Sequence, residues 1–80
     1  MSNSLPTAII TGASRGIGRA LALLLAKNNF QLSLVARNKG ELKDLAAEIT
    51  EIGHRPLYFD GDVSDEAFVS DAVEKTVHTF

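Results

Sequence analysis

Eighty residues, 45% hydrophobic and 22% charged, describe one soluble globular unit at most, and a chain of this size buries only about 60% of the surface that its unfolded state exposes. The formal net charge of −2 provides no basic field for nucleic acid, and the lack of cysteine excludes a disulfide framework or a thiolate metal site and fits a reducing compartment. The longest apolar run, Ala20 to Ala26, falls far short of the ~20 residues that span a bilayer, and Met1-Ser2-Asn3-Ser4 lacks the charged start and apolar centre of a signal peptide, so a cytoplasmic location is expected.

In chain order, Pro6 marks the start of a short, partly β-branched strand over residues 7–11. A glycine-rich turn follows, and then a segment dominated by Ala and Leu that reads as a helix from about Gly16 to Asn29, with Ile17, Leu21, Leu24 and Leu25 at helical spacing on the face expected to meet a sheet. Residues 31–36 alternate polar and apolar and then become continuously apolar, as a second strand does. Asn38, with Glu41 three residues later, has the form of a capping box. Leu42, Leu45, Ala46, Ile49 and Ile52 recur behind it, and Gly53 closes that second helix. Leu57-Tyr58-Phe59 reads as a third strand, and Asp60-Gly61-Asp62-Val63 leads out of it. Ser64 is placed to cap a third helix, with Asp65 and Glu66 in its first turn and Phe68, Val69, Ala72, Val73, Val77 and Phe80 as its apolar stripe.

Strand and helix alternate three times with short connections, and no repeat, linker or low-complexity run interrupts them. That order predicts an α/β fold: a parallel, Rossmann-type sheet with helices on its faces, present as a β-α-β-α-β-α half-domain. In the usual strand order the first strand pairs on its far side with a fourth. With none in this sequence, that edge is expected to be bare and the chain reads as part of a longer one.

The turn Thr11-Gly12-Ala13-Ser14-Arg15-Gly16-Ile17-Gly18 carries the chemistry. A helix opening near Gly16 leaves its first N–H groups unpaired and concentrates roughly half a positive charge at that end, which suits a pyrophosphate. Glycine at 12, 16 and 18 allows a sharp turn, backbone approach to phosphate, and close packing of helix on strand. The spacing, Gly-x3-Gly-x-Gly, is neither the general dinucleotide fingerprint nor a P-loop. Nearly residue for residue it resembles the cofactor motif of the short-chain dehydrogenase/reductase family, and the resemblance covers only the cofactor-binding half of that family's domain.

An acidic residue about 20 positions past the glycines is expected where a ribose 2′-hydroxyl is held, as in NAD. Here that position is Ala36, followed by Arg37, whose planar fork suits a 2′-phosphate, so NADP(H) is favoured. Arg15 reaches the same phosphate from the glycine loop, and a basic residue at each of these places is similar to the family's NADP-preferring pattern. Ser14 and Asn38 add hydrogen bonds to that phosphate, and the Ile17 N–H adds one to the pyrophosphate. Asp62-Val63 resembles the family's pair at the adenine, with Asp60 as the competing carboxylate. The resemblance implies hydride transfer between a nicotinamide and a small carbonyl or alcohol substrate. It places the chemistry on a later asparagine, a serine and a Tyr-x-x-x-Lys pair, none of which can be assigned here.

Tyr58 has Asp62 at the lysine position and is expected to be a packing residue, while His54 and His78 stand alone as surface residues without a metal or acid–base partner. A non-catalytic nucleotide-binding module, completed at its bare edge by a partner or a second copy, is the alternative reading, and an inactive truncated product is the third.

Overall fold

A computed structural model describes residues 5–80; the Met1 to Ser4 stretch read above for a signal peptide lies outside the described residues. Six elements follow one another: β1 (Thr7–Thr11), α1 (Gly16–Lys27), β2 (Gln31–Ala36), α2 (Lys39–Ile52), β3 (Leu57–Asp60) and α3 (Glu66–Thr79). The strands form one parallel sheet in the order β1-β2-β3, with Thr7 opposite Gln31 and Ala36 opposite Asp60 at its two ends. Three parallel strands with three helices make the expected Rossmann-like half-domain. β2, paired on both sides, is buried from Leu32 to Ala36, whereas β1 and β3 alternate between covered and open residues. The outer edge of β1 has no partner strand among the described residues.

Side chains alternate across a strand, so β2 serves both faces. Leu32, Leu34 and Ala36 pack with Ile10 and with Ala22 and Ala26 of α1 and Leu42, Leu45 and Ile49 of α2, forming the main core. α1 and α2 lie side by side on that face, and an Arg19–Glu48 ion pair links them. Ser33 points the other way and meets α3, where the Thr76 hydroxyl hydrogen-bonds Ser33 Oγ at 2.8 Å and the Ala72 carbonyl at 2.7 Å.

Expectations for all three helices are corrected. On α1 the sheet face is made by Ala22 and Ala26, with Leu25 partly buried as expected, while Ile17 is 87% exposed and Leu21 and Leu24 are also open. Gly18 shows why: a Cβ there would collide with the Gly12 carbonyl oxygen and stand 2.9 Å from its carbon. The helix lies so close to the β1 end that small residues, Gly18, Ala22 and Ala26, occupy the centre of the contact, while Leu23 and Leu25 pack partly buried beside it and Ile17, Leu21 and Leu24 turn outward. On α3, Asp65 is the cap, accepting from Ala67 N–H at 3.0 Å and Phe68 N–H at 3.2 Å. Ser64 instead gives its N–H and hydroxyl to Asp62. Only Ala72 and Thr76 of α3 are fully buried; Val77 is 70% exposed and Val73 open. On α2, Leu42, Leu45, Ala46 and Ile49 are buried but Ile52, in the last turn, is open.

Candidate nucleotide site

Because the three strands are parallel, the loops that follow them emerge on one side of the sheet. There they enclose a cleft of about 300 Å³ lined by Gly12, Arg15, Ala36, Arg37, Gly61 and Val63. Two cross-strand bonds tie the loops to the sheet: Ala13 N–H to the Val35 carbonyl at 3.2 Å, and Gly61 N–H to the Ala36 carbonyl at 2.9 Å. Ala13 is completely buried, so the glycine loop is pinned at its centre.

The glycines serve different ends. Gly12 (φ +64°) and Gly16 (φ +61°) are in the left-handed region with open space where a Cβ would sit, so conformation selects glycine there. At Gly18 the close approach to Gly12 selects it. Between them Arg15 is extended (φ −155°, ψ 169°) and precedes α1 without capping it.

α1 is the exception among the three helices. Asn38 Oδ1 caps α2 by accepting from Glu41 N–H at 2.9 Å, Asp65 caps α3, and each of those helices has an acid in its first turn. α1 has neither a side-chain cap nor an acidic residue there. Its first intrahelical bond runs from Arg19 N–H to the Arg15 carbonyl, leaving the N–H groups of Gly16, Ile17 and Gly18 facing the loop mouth without a side-chain acceptor. A helix start of this kind, uncapped and without an acid in its first turn, favours negative charge.

The rim is charged in pairs. Arg37 Nη2 lies 3.1 Å from Asp62 Oδ2, and Asp62 Oδ1 accepts from Ser64 N–H at 2.9 Å and Ser64 Oγ at 2.8 Å. The Ser64 backbone N–H, then its hydroxyl, then the Arg37 guanidinium hold the Asp62 carboxyl below its ordinary value. Across the loop, Arg15 Nε is 3.6 Å from Glu41 Oε1. The Glu41 side chain therefore turns to the glycine loop, so only the Asn38 half of the expected capping box forms.

Of the residues singled out in the sequence, Gly12, Arg15, Arg37 and Val63 line the cleft directly. Gly16, Ile17 and Gly18 form the helix start beside it, Ser14 sits half-buried in the same loop, and Asp62 joins through Arg37. The Asn38 oxygen is committed to its cap, which leaves its amide N–H groups to donate. Asp60 ends β3 opposite Ala36, and Tyr58 lies within β3. Three contributors were missed. Ala36 forms a wall and Gly61 lines the cleft, where a Cβ would stand 2.6 Å from the Phe68 ring and force it to shift. Glu41 was read only as a cap. Among the described residues no cluster of three or more His, Cys, Asp or Glu could hold a metal ion, and no helix is long and apolar enough to cross a membrane.

The chain is 39% identical to the L-rhamnose 1-dehydrogenase (NAD(P)(+)) of Sphingomonas sp. (strain SKA58), over 92% of this chain and 30% of that one. It is 38% identical to the cyclohexanol dehydrogenase of Rhodococcus sp. (strain TK6), over 96% and 34% respectively. Among solved structures, an alcohol dehydrogenase from the archaeon Thermococcus sibiricus complexed with 5-hydroxy-NADP superposes with a TM-score of 0.88 at 38% identity, covering 96% of this chain and 33% of that one. The L-sorbose reductase of Gluconobacter frateurii complexed with NADPH and L-sorbose gives 0.89 at 37% identity, covering 96% and 30%. The chain thus spans about a third of the length of the curated relatives it matches. The short chain dehydrogenase family model matches residues 6–80, taking in every element from β1 to α3 together with the glycine loop, and the chain belongs to that family.

Proposed function

We propose that this chain is the NADP(H)-binding portion of an oxidoreductase that, in its complete form, interconverts a small carbonyl compound and its alcohol by hydride transfer. The observation that carries the reading is the meeting, at one cleft, of an uncapped, acid-free helix start and two arginines, with alanine where a hydroxyl-binding carboxylate would stand. When bound, the nicotinamide gives or takes the hydride. The chain's own residues bind and orient. The N–H groups of Gly16, Ile17 and Gly18 take the pyrophosphate, Arg37 and Arg15 take the 2′-phosphate with Ser14 and the Asn38 amide, and Val63 packs on the adenine. Asp62 Oδ2, which lies 3.1 Å from Arg37 Nη2, accepts from the adenine amine once the phosphate draws Arg37 away.

A ligand that binds only the folded state raises apparent stability, so a thermal-shift titration with NADPH and separately with NADH tests the proposal. NADPH shifts the transition further, and Arg37→Asp, which exchanges the cation for a repelling charge, weakens NADPH much more than NADH. Equal losses for the two cofactors sink the 2′-phosphate assignment. A folded chain that neither cofactor stabilises sinks the dinucleotide assignment altogether.

A further inference from the structure

The two arginines of the cleft are not free cations. Arg37 faces Asp62 and Arg15 faces Glu41, so the four formal charges around the nucleotide cleft cancel. Asp62 belongs to the adenine side of the binding reading. Glu41 has no place in that reading, yet its carboxylate is the one that faces Arg15.

Two features of Glu41 determine what it does. Its contact with Arg15 is loose: Nε and Oε1 are 3.6 Å apart, the two atoms do not hydrogen-bond, and the Arg15 side chain is 79% exposed. Such a pair contributes little to holding the arginine in place. The Oε1 atom is nonetheless buried and has no hydrogen-bond partner among the described residues, although the Glu41 side chain as a whole is 39% exposed, so its negative charge is partly, not fully, screened. Weak positioning combined with a persistent like charge means that Glu41 opposes a 2′-phosphate, which is close to a dianion at neutral pH.

We propose that Glu41 is a specificity-determining residue, whose carboxylate beside Arg15 offsets one of the two cations facing the 2′ position and so narrows the discrimination between 2′-phosphorylated and 2′-hydroxyl nucleotides. The inference rests on the dinucleotide reading above. It makes the cleft tolerant of both cofactor types and places the restraint on α2, outside the glycine loop and the β2 end.

The test uses 2′,5′-ADP and 5′-AMP, which differ only by the 2′-phosphate, titrated calorimetrically into the unmodified chain and into Glu41→Gln and Glu41→Asp. Glutamine keeps the backbone N–H that Asn38 caps, so α2 still starts in place, and a circular dichroism melt checks this. The expected result is that Glu41→Gln raises the preference for 2′,5′-ADP over 5′-AMP by about three- to tenfold. The gain shrinks as salt is added, and Glu41→Asp stays near the unmodified chain. A reduced preference in Glu41→Gln overturns the proposal, because the carboxylate then acts by holding Arg15, and an unchanged one overturns it because the charge then has no effect at the 2′ position. Equal changes in Gln and Asp overturn it too, since packing and not charge would be responsible. If neither probe binds the folded, unmodified chain, the dinucleotide reading itself fails and takes this inference with it.

Discussion

Gly18→Ala sets two effects of known sign against each other. In an ordinary helix the change stabilises, because alanine exceeds glycine in helix propensity by about 1 kcal/mol. At this position the new Cβ meets the Gly12 carbonyl group, 2.9 Å from its carbon and nearer still to its oxygen, and backbone cannot rotate away as a side-chain tip can. Either α1 lifts off the β1 end or the glycine loop moves, and overpacking of this kind costs typically ~1–3 kcal/mol, with a backbone obstacle at the upper end. The net is a loss of about 2 kcal/mol, which in a domain of this size lowers Tm by roughly 8–16 °C. Urea unfolding followed by circular dichroism reads the free energy, and a thermal melt reads the shift. Nucleotide affinity falls for NADPH and NADH alike, because the displaced element is the helix start and not the 2′ pocket. A Gly18→Ala chain as stable as the original, or more stable, refutes the account of why Ala22 and Ala26 rather than the leucines face the sheet.

Other outcomes follow from named contacts. Thr76→Val keeps the side-chain shape but strands the buried Ser33 hydroxyl, costing about 1–3 kcal/mol in urea unfolding, and adding Ser33→Ala recovers much of the loss; no recovery in the double variant would mean the pair is not coupled. Asp65→Ala removes two cap bonds from α3 and costs ~1 kcal/mol, whereas Ser64→Ala leaves the cap intact, so a larger loss at Ser64 would reverse the assignment of the cap. Asp62 stays ionised to lower pH in the folded chain than in the unfolded one, because Ser64 and Arg37 hydrogen-bond its charged form. Its contribution is therefore fully present above the ordinary aspartate value near about 4 and is lost as pH falls through the lowered folded value. The stability gap between the unmodified chain and Asp62→Asn is expected to be constant at neutral pH and to close on acidification; a gap that widens with acid contradicts the hydrogen-bonding account.

What the sequence determined by itself is what neighbouring residues decide between them. Glycines at 12, 16 and 18 between an apolar strand and an Ala/Leu helix already specify a strand–turn–helix, and the elements lie within a few residues of their expected bounds. Asn38 before Glu41, and Gly53 after Ile52, mark the ends of α2 through bonds spanning three or four residues. Tertiary structure alone decided which side of each helix is buried. Hydrophobicity assigned Leu21 and Leu24 to the sheet, but the close approach of α1 to the β1 end at Gly18, which no local pattern encodes, puts Ala22 and Ala26 at the centre of the contact and leaves those two leucines open. The same holds for Thr76, polar by composition and buried because Ser33, 43 residues earlier, faces it. In the site, the sequence supplied the arginines, while their pairing with Glu41 and Asp62 arose only when separate loops converged at one end of a parallel sheet. Charges distant in sequence become neighbours through the fold, and the field a ligand meets is set by that placement rather than by the count of cations.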